Sequence, residues 1–324
     1  MQKISVVVPC FNEESVLPRL FERLSAAAKT WGVDYEILCV DDGSRDRTWE
    51  LLKAQHQADS RWRGLSFART FGHQAAVSAG LSHAGGDAVI VMDADLQDPP
   101  EELSRFIATW RQGYEVVYAV RQKRKEGLVK KFSYWLFYRL MAGLVPFDLP
   151  LDAGDFCLMD RRVVQTLNRM PERNRFVRGL RAWAGFKQTG LKYERQARAA
   201  GVPKYNLRRL LNLAWDGIFS FSTIPLTLVG YVGLIISTLS GLGIVFTLIQ
   251  RIFADWFRAI GLAPVPGFAT IVISILFLGG IQLLCLAVVG EYVGRIYEEV
   301  KRRPMWIVRE ACGVGELPPP HDQL

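Results

Sequence analysis

Paired cysteines are missing. The five cysteines (10, 39, 157, 285 and 312) are scattered over 324 residues and form no Cys-x-x-Cys. That pattern suggests neither a zinc site nor a disulfide framework, and it fits a catalytic part facing a reducing cytosol. No secretory signal is expected either, because residues 1–30 hold one short apolar run, Ile4–Val8, followed by Asn12, Glu13 and Glu14. Acidic residues are the minority, 32 against 40 Lys and Arg, for a formal net charge of +8. A basic balance admits nucleic acid, but the basic residues gather beside apolar segments, where anionic lipid is the simpler partner; no nucleic-acid partner is expected.

Long apolar runs are confined to the C-terminal third. Leu226–Ile249 and Gly267–Val289 carry no formal charge, and each exceeds the roughly 20 residues an α-helix needs to cross a bilayer core. Core helices rarely run this long without a charge, so two membrane spans are expected. The segment between them, 250–266, holds Arg251 and Arg258, whereas the flanks hold Arg208, Arg209, Arg295, Lys301, Arg302, Arg303 and Arg309. This asymmetry places both chain ends in the cytoplasm and makes the spans a hairpin. Between Asn206 and Pro225 the residues Leu207, Leu210, Leu211, Ala214, Ile218 and Phe221 recur at helical spacing beside Arg208 and Arg209, as in an interfacial helix. "EYVGRIYEEVKRRP" reads as a polar exit helix. The expected organisation is therefore a cytosolic domain over 1–205, an interfacial helix over 206–225, spans within 226–290, and a cytosolic helix and tail over 291–324.

The first ~120 residues alternate β-rich runs with amphipathic stretches. "ISVVVP", "EILCVDDGS", "GLSFAR", "DAVIVMDAD" and "EVVYAV" read as strands, and 16–30, 47–58, 74–83 and 98–112 as helices. Such an order implies an α/β fold with a mostly parallel sheet covered on both faces. Ligands of these sheets lie beyond the carboxyl ends of the strands, where three loops meet, after Val8, Val40 and Met92.

Two of those loops are acidic. In "VIVMDADLQDPPEE" five carboxylates fall within ten positions. Asp93 and Asp95, alternate residues at the end of a strand, would share a face and could point at one divalent cation with a bound diphosphate. Asp98, Pro99 and Glu101 read as a helix start with a capping box, leaving Glu101 and Glu102 to the helix. Asp41 and Asp42 end the second strand, where a carboxylate can accept from a ribose hydroxyl or a base imide, and Gly43 suits a tight turn.

Taken together, "VVVPCFNEE", "VDDGSRD" and "MDADLQDPPEE" resemble the family 2, GT-A type nucleotide-sugar glycosyltransferases over roughly residues 4–125. The resemblance implies a Rossmann-like, mixed but mostly parallel sheet. With "SFSTIPL" (Ser220–Leu226) and two spans behind it, the chain resembles the polyprenyl-phosphate glycosyltransferases, which include dolichol-phosphate mannose synthases and bactoprenol glucosyltransferases, and most of all the bacterial bactoprenol branch. In that likeness Pro9, Asn12 and Glu13 line the nucleotide pocket, Asp41 and Asp42 serve the uracil or ribose, and Asp93 and Asp95 hold Mg²⁺ or Mn²⁺ with the diphosphate. Asp95 and Gln97 stand near the sugar, and Asp155 is a candidate base or organiser of the acceptor site. Arg121 opens a loop that contacts the acceptor phosphate, with Lys130, Lys131, Ser133 and Arg208 as further candidates. A departure falls in "DAGDFCLMDRR", where Cys157 stands in place of an Arg common in the family. If that Arg braces phosphates, another basic residue must substitute.

The chemistry implied is transfer of a sugar to a lipid monophosphate. The acceptor oxygen is already charged near neutral pH, so positioning, charge neutralisation and stabilisation of the leaving diphosphate outweigh the need for a strong base. In-line attack implies inversion. UDP-glucose is the donor favoured by the branch; GDP-mannose, UDP-GlcNAc and UDP-amino-arabinose fit the same motifs. The expected location is the inner (plasma) membrane with the site on its cytosolic face. A homo-oligomer is a family expectation; Ser237 and Gly241 form one small-xxx-small pair. A processive polysaccharide synthase is disfavoured because "QTLNRM" lacks the QxxRW spacing and its Trp, a flippase because two spans are few, and a non-catalytic scaffold because the Asp93/Asp95 pair is intact.

Overall fold

Strand residues here are buried on both faces, and the β-branched runs supply them. The computed structural model describes residues 2–121, 153–173, 175–194, 224–261 and 267–315. Strand β1 (Lys3–Cys10) is buried from Ile4 onward and runs parallel to β2 (Asp34–Asp41) and to β4 (Ala88–Val91); β2 in turn runs parallel to β3 (Trp62–Phe67). Beyond this parallel core lie β5 (Val116–Arg121), β6 (Ala153–Asp160), β7 (Gln188–Tyr193) and β8 (Val308–Cys312). The order across the eight-stranded sheet is β7-β5-β6-β4-β1-β2-β3-β8. β6 is antiparallel to both neighbours, and β8 is antiparallel to β3.

Alternation along the strands divides the core in two. Ile4, Val6, Val8, Ile37 and Cys39 face one layer, where α1 (Leu17–Ala28) contributes Leu17, Leu20 and Leu24 and α4 (Leu103–Arg111) contributes Phe106 and Ile107. Leu38, Val40, Leu65 and Phe67 face the other, built from Ala76 and Ala79 of α3 (His73–His83) and from Trp306. α3 lies close against the sheet: a Cβ on Gly80 would fall 2.1 Å from Val7 Cγ1. Helices α2 (Thr48–Ala58), α5 (Arg161–Arg169) and α6 (Val177–Trp183) complete this part of the chain.

The chain divides into two units, Met1–Gly217 with Arg303–Leu324, and Ile218–Arg302. The second is built of α7 (Ile224–Ile252), α8 (Ala254–Ala259) and α9 (Phe268–Val300). Its two long helices have 29 and 33 residues, or roughly 44 and 50 Å at 1.5 Å per residue, enough to cross a membrane. Their apolar stretches, Ile224–Gly243 and Phe277–Val300, are unburied within the chain. α9 runs unbroken through the polar segment expected as a separate exit helix, with Arg295 Nε paired to Glu291 Oε1 at 3.0 Å. The following segment re-enters the sheet as β8 rather than forming only a tail. The expected interfacial helix over 206–225 lies outside the described residues, apart from Ile224 and Pro225, which begin α7.

One expectation about the acidic loop is corrected. β4 ends at Val91, so Asp93 and Asp95 do not share a face through strand alternation. They sit in the loop that follows, in which Leu96 adopts a positive φ of 57°, and both line a cleft at the strand's carboxyl end.

Candidate active site

At the carboxyl edge of the parallel strands a cleft of about 400 Å³ opens. Its lining draws on widely separated segments: Pro9, Cys10, Phe11 and Glu13 after β1, Asp42 after β2, His73 and Gln74 opening α3, Asp93 and Asp95 after β4, and Asp155, Phe176 and Arg178. Asp155 reaches this edge because β6 runs against β4. Val91 pairs with Cys157, so two residues further on Asp93 stands level with Asp155.

The first two loops are laced together. Asn12, at φ 55°, donates its N–H to Ser44 Oγ and accepts from the Arg45 N–H, each at 2.9 Å. The Glu13 N–H donates to Thr48 Oγ1 at 2.9 Å. Asn12 therefore braces the loops, while Pro9 and Glu13 line the cleft. The acidic pair divides in a similar way. Asp41 is fully buried and accepts from the Ser44 N–H at 3.0 Å and the Ser66 hydroxyl at 2.8 Å. Asp42 lines the cleft and accepts from the N–H groups of Phe71 (2.7 Å) and Gly72 (3.0 Å). Burial pushes the Asp42 carboxyl up, against those two N–H groups. Gly43 makes the turn possible: its φ is +69°, and a Cβ there would meet the Arg69 carbonyl carbon at 2.6 Å.

Asp98 is not a helix cap. It is 2% exposed and accepts from the Tyr193 hydroxyl; the turn at Pro100–Glu102 is a 3₁₀ helix without a side-chain cap, and α4 begins only at Leu103. A buried acid with a phenol partner holds the loop more firmly than an exposed cap. Glu101 pairs with Arg23 at 2.7 Å, and Glu102 with Arg105. Gln97 donates its N–H to Asp95 Oδ1 at 3.1 Å.

A row of alternating charge crosses the cleft. His73 Nε2 stands 3.9 Å from Asp93 Oδ1 and 3.5 Å from Asp155 Oδ2, and Arg178 Nη2 lies 3.3 Å from Asp155 Oδ1. Burial pushes the Asp93 carboxyl up to about 6; His73 opposes the rise, and Asp98, Asp155 and Asp95 add to it. Burial would also lower the His73 imidazole, yet its hydrogen bond to Asp155 and the charges of Asp93 and Asp155 raise it to about 9. Asp155 is held well below the ordinary carboxylate range: burial is outweighed by Arg178, His73 and Arg181. Burial pushes the Cys157 thiol up, and the neighbouring Arg181 opposes the rise, so a basic group does stand near position 157.

Asp93 receives no hydrogen bond among the described residues, and three acids surround it. Such a carboxylate is short of positive charge and suits an oxygen-ligated divalent cation. No three His, Cys, Asp or Glu side chains converge as a ligand set among the described residues. Asp93 and Asp95 would be the two protein ligands, the rest falling to water and phosphate, as is common for Mg²⁺.

Of the acceptor-site candidates, Arg121 ends β5 with its backbone paired to Tyr193, at the same carboxyl edge. Lys130, Lys131, Ser133 and Arg208 lie outside the described residues. His73, Gln74, Phe176 and Arg178 were not anticipated. His73 could have been read from its place, since it opens the helix that follows a strand's carboxyl end. Arg178 had no comparable signal.

An α/β sheet with an acidic cleft at its carboxyl edge is the arrangement expected of a GT-A glycosyltransferase. Residues 5–167 match Glycosyl transferase family 2. A glycosyltransferase of Bacillus subtilis (strain 168), YkcC, is 45% identical over 311 residues, covering 96% of this chain and 94% of its own. A bactoprenol glucosyl transferase derived from prophage SfII of Shigella flexneri is 40% identical over 311 residues, 95% of this chain and 98% of its own. Among solved structures, glucosyl-3-phosphoglycerate synthase from Mycobacterium tuberculosis, in complex with Mn²⁺, UDP and glucosyl-3-phosphoglycerate, is similar with a TM-score of 0.48 and 20% identity, over 67% of this chain and 78% of that one. The chain belongs to glycosyl transferase family 2.

Proposed function

We propose that the protein transfers glucose from UDP-glucose to the phosphate of undecaprenyl phosphate, or a similar polyprenyl phosphate, at the cytosolic face of the membrane. The product is a lipid-linked β-glucoside formed with inversion. The observation that carries this reading is the charge pattern of the cleft: Asp93 and Asp95 at one end, His73 and Arg178 toward the other. Two anionic substrates need that pattern, one neutralised through a cation and the other by side chains. The likeness to the bactoprenol glucosyl transferases supports both sugar and acceptor, and it extends through the long helices, since 95% of this chain is covered.

In this mechanism Asp42 and Glu13 orient the nucleoside, and Asp93 with Asp95 would hold the divalent ion beside the donor diphosphate. When bound, the ion supplies positive charge to the departing nucleoside diphosphate. His73, whose imidazole is raised by its hydrogen bond to Asp155, adds a polar donor beside the same leaving group. The acceptor oxygen attacks the anomeric carbon from the opposite face. Asp155 acts as organiser rather than base: its depressed pKa makes it a poor proton acceptor, and a phosphate monoester needs none.

The sheet supports a topology for this reading. β3 precedes the long helices in sequence and β8 follows them, yet the two strands are hydrogen-bonded neighbours. The chain before α7 and after α9 therefore lies on one side of any membrane those helices cross, which supports a hairpin; the Lys and Arg asymmetry favours the cytoplasm as that side.

The test uses purified full-length protein in detergent with undecaprenyl phosphate, Mg²⁺ or Mn²⁺, and a panel of labelled UDP- and GDP-sugars. Label in the organic phase from UDP-glucose, abolished by EDTA, is expected. Label from a different donor alone would move the sugar assignment, and no label from any donor would overturn the reaction.

A further inference from the structure

The row of charged groups does not end at the cleft wall. Arg178 and Arg181 are three residues apart on α6 and so share a helical face. The helix is fixed beside the site because the Val177 N–H donates to Gln74 Oε1 at 3.0 Å, next to His73. Arg178 is one-quarter exposed, lines the cleft and grips Asp155 at 3.3 Å. Arg181 lies behind it, 2% exposed, with its guanidinium 5.6 Å from the Tyr118 ring and its Nε and Nη2 without a hydrogen-bond partner among the described residues. A buried guanidinium with unpaired nitrogens is costly. Arg178 pairs with Asp155, and the charge of Arg181 acts on the same carboxylate, so the buried Arg181 reinforces the positive wall that Arg178 presents to the cleft.

We propose that Arg178 binds the acceptor's phosphate, and that Arg181 is its positioning residue, anchoring the Asp155 carboxylate that orients Arg178. Position along the row decides which phosphate is bound. Asp93, with the donor diphosphate, is separated from Arg178 by His73 and then Asp155. Attack opposite the leaving group requires the second phosphate to stand a sugar ring away from the first, and Arg178 is a cleft-lining cation on the far side of Asp155 and His73 from Asp93. Arg is suited to the task because its planar fork can grip Asp155 and still present donors to a phosphate. The proposal rests on the reading of the protein as a prenyl-phosphate glycosyltransferase, and its test keeps the two apart.

Full-length Arg178→Gln, Arg178→Lys and Arg181→Met are compared with wild type in detergent, varying undecaprenyl phosphate and UDP-glucose separately. Arg178→Gln is expected to raise the acceptor KM about tenfold or more, with the donor KM within about twofold; Arg178→Lys recovers part of the loss. Arg181→Met raises the acceptor KM by less. A donor KM that rises as far as the acceptor KM assigns Arg178 to the donor and overturns the proposal, as does an unchanged acceptor KM. A second arm needs no turnover: inorganic phosphate, with no donor present, should raise the melting temperature of wild type but not of Arg178→Gln. If it does so while no sugar is transferred, the anion site stands and the assigned reaction falls. If wild type gains nothing from phosphate, or Arg178→Gln gains as much, the proposal falls.

Discussion

Asp93 faces Asp95, Asp98 and Asp155 with His73 opposing them, and its carboxyl sits at about 6. Since this is above the ordinary carboxylate value near 4, folding disfavours the ionised form, and stability is lost as pH rises through that interval. At pH 7.5 the penalty is in place unless a cation relieves it. Asp93→Asn should therefore abolish transfer yet raise the melting temperature in EDTA by a few degrees, corresponding to about 1 kcal/mol once the one-third exposure of the side chain is allowed for. Calorimetry of both proteins with and without Mn²⁺ checks it: the ion should stabilise wild type and leave the variant unmoved. Protons compete for the same carboxylate, so metal activation should weaken below about pH 6. Asp95→Asn should likewise lose turnover while remaining folded and membrane-bound, and full metal-dependent activity in that variant would reassign the metal ligands.

Glu36 shows the opposite sign. It is 3% exposed and accepts from Lys3 Nζ and Arg63 Nη1 at 2.7 Å and from the Ser5 hydroxyl and the Gly85 N–H at 2.6 Å. Burial would raise its carboxyl, but these four donors outweigh burial and hold it at about 2. A depressed carboxyl stabilises the fold above about pH 4.5, and that contribution disappears as pH falls toward 2. Glu36→Gln should cost ~3 kcal/mol at pH 7, with the gap to wild type closing in acid. Melting temperatures of the two proteins between pH 7 and pH 3 measure it.

Among the elements, the parallel core was legible because β-branched runs bounded by turns have few other solutions, and β1, β2, β3 and β5 fall close to where the pattern puts them. What escaped was pairing between distant segments. Asp155 joins the site only because β6 inserts antiparallel beside β4, and nothing in "DAGDFCLMD" announces its neighbour. Asp98 carries the local signature of a cap, but Tyr193, 95 residues later, supplies a better partner than the helix end does. β8 is short and carries Arg309 and Glu310, so no alternation marks it; its place is set by contacts made elsewhere. Trp306 stacks on Phe67 at 6.5 Å between ring centroids, and Trp49 Nε1 donates to Glu310 Oε2 at 2.8 Å. Gly80 gives the sharpest test at this scale. Gly80→Ala forces α3 away from Val7 and should cost about 1–3 kcal/mol, as overpacking does. Because α3 carries His73 at its first turn, catalysis should fall along with stability. A chemical-denaturation midpoint that moves with no change in kcat would separate the helix's packing from its role in the cleft.

For the molecule as a whole, the sheet and the long helices constrain one another through chain order alone. Hydrogen bonding of β8 to β3 means that any membrane crossings between them are even in number, and α7 and α9 are, among the described residues, two helices with the length and composition to make such crossings. Reversing one helix would strand β8 on the wrong side and leave β3 as an open sheet edge with Trp306 unburied. Residues between the helices should then be reachable only from outside the cell. With the native cysteines replaced by Ser or Ala, Asp255→Cys in α8 should react in intact cells with a membrane-impermeant thiol reagent, while Gln57→Cys on the exposed end of α2 reacts only after permeabilisation. The converse pattern would invert the hairpin and place the cleft away from the cytosolic nucleotide-sugar pool, and reaction of both sites in intact cells would mean that the helices do not span at all. The sheet also predicts that a chain cut after Val300 loses more than its tail. Without β8, Phe67 loses its stacking partner and Arg309 no longer donates to Ser66 Oγ at 3.3 Å, the hydroxyl that in turn holds Asp41. Such a truncation should lower both the melting temperature and the affinity for donor, measured by UDP-glucose titration against the full chain.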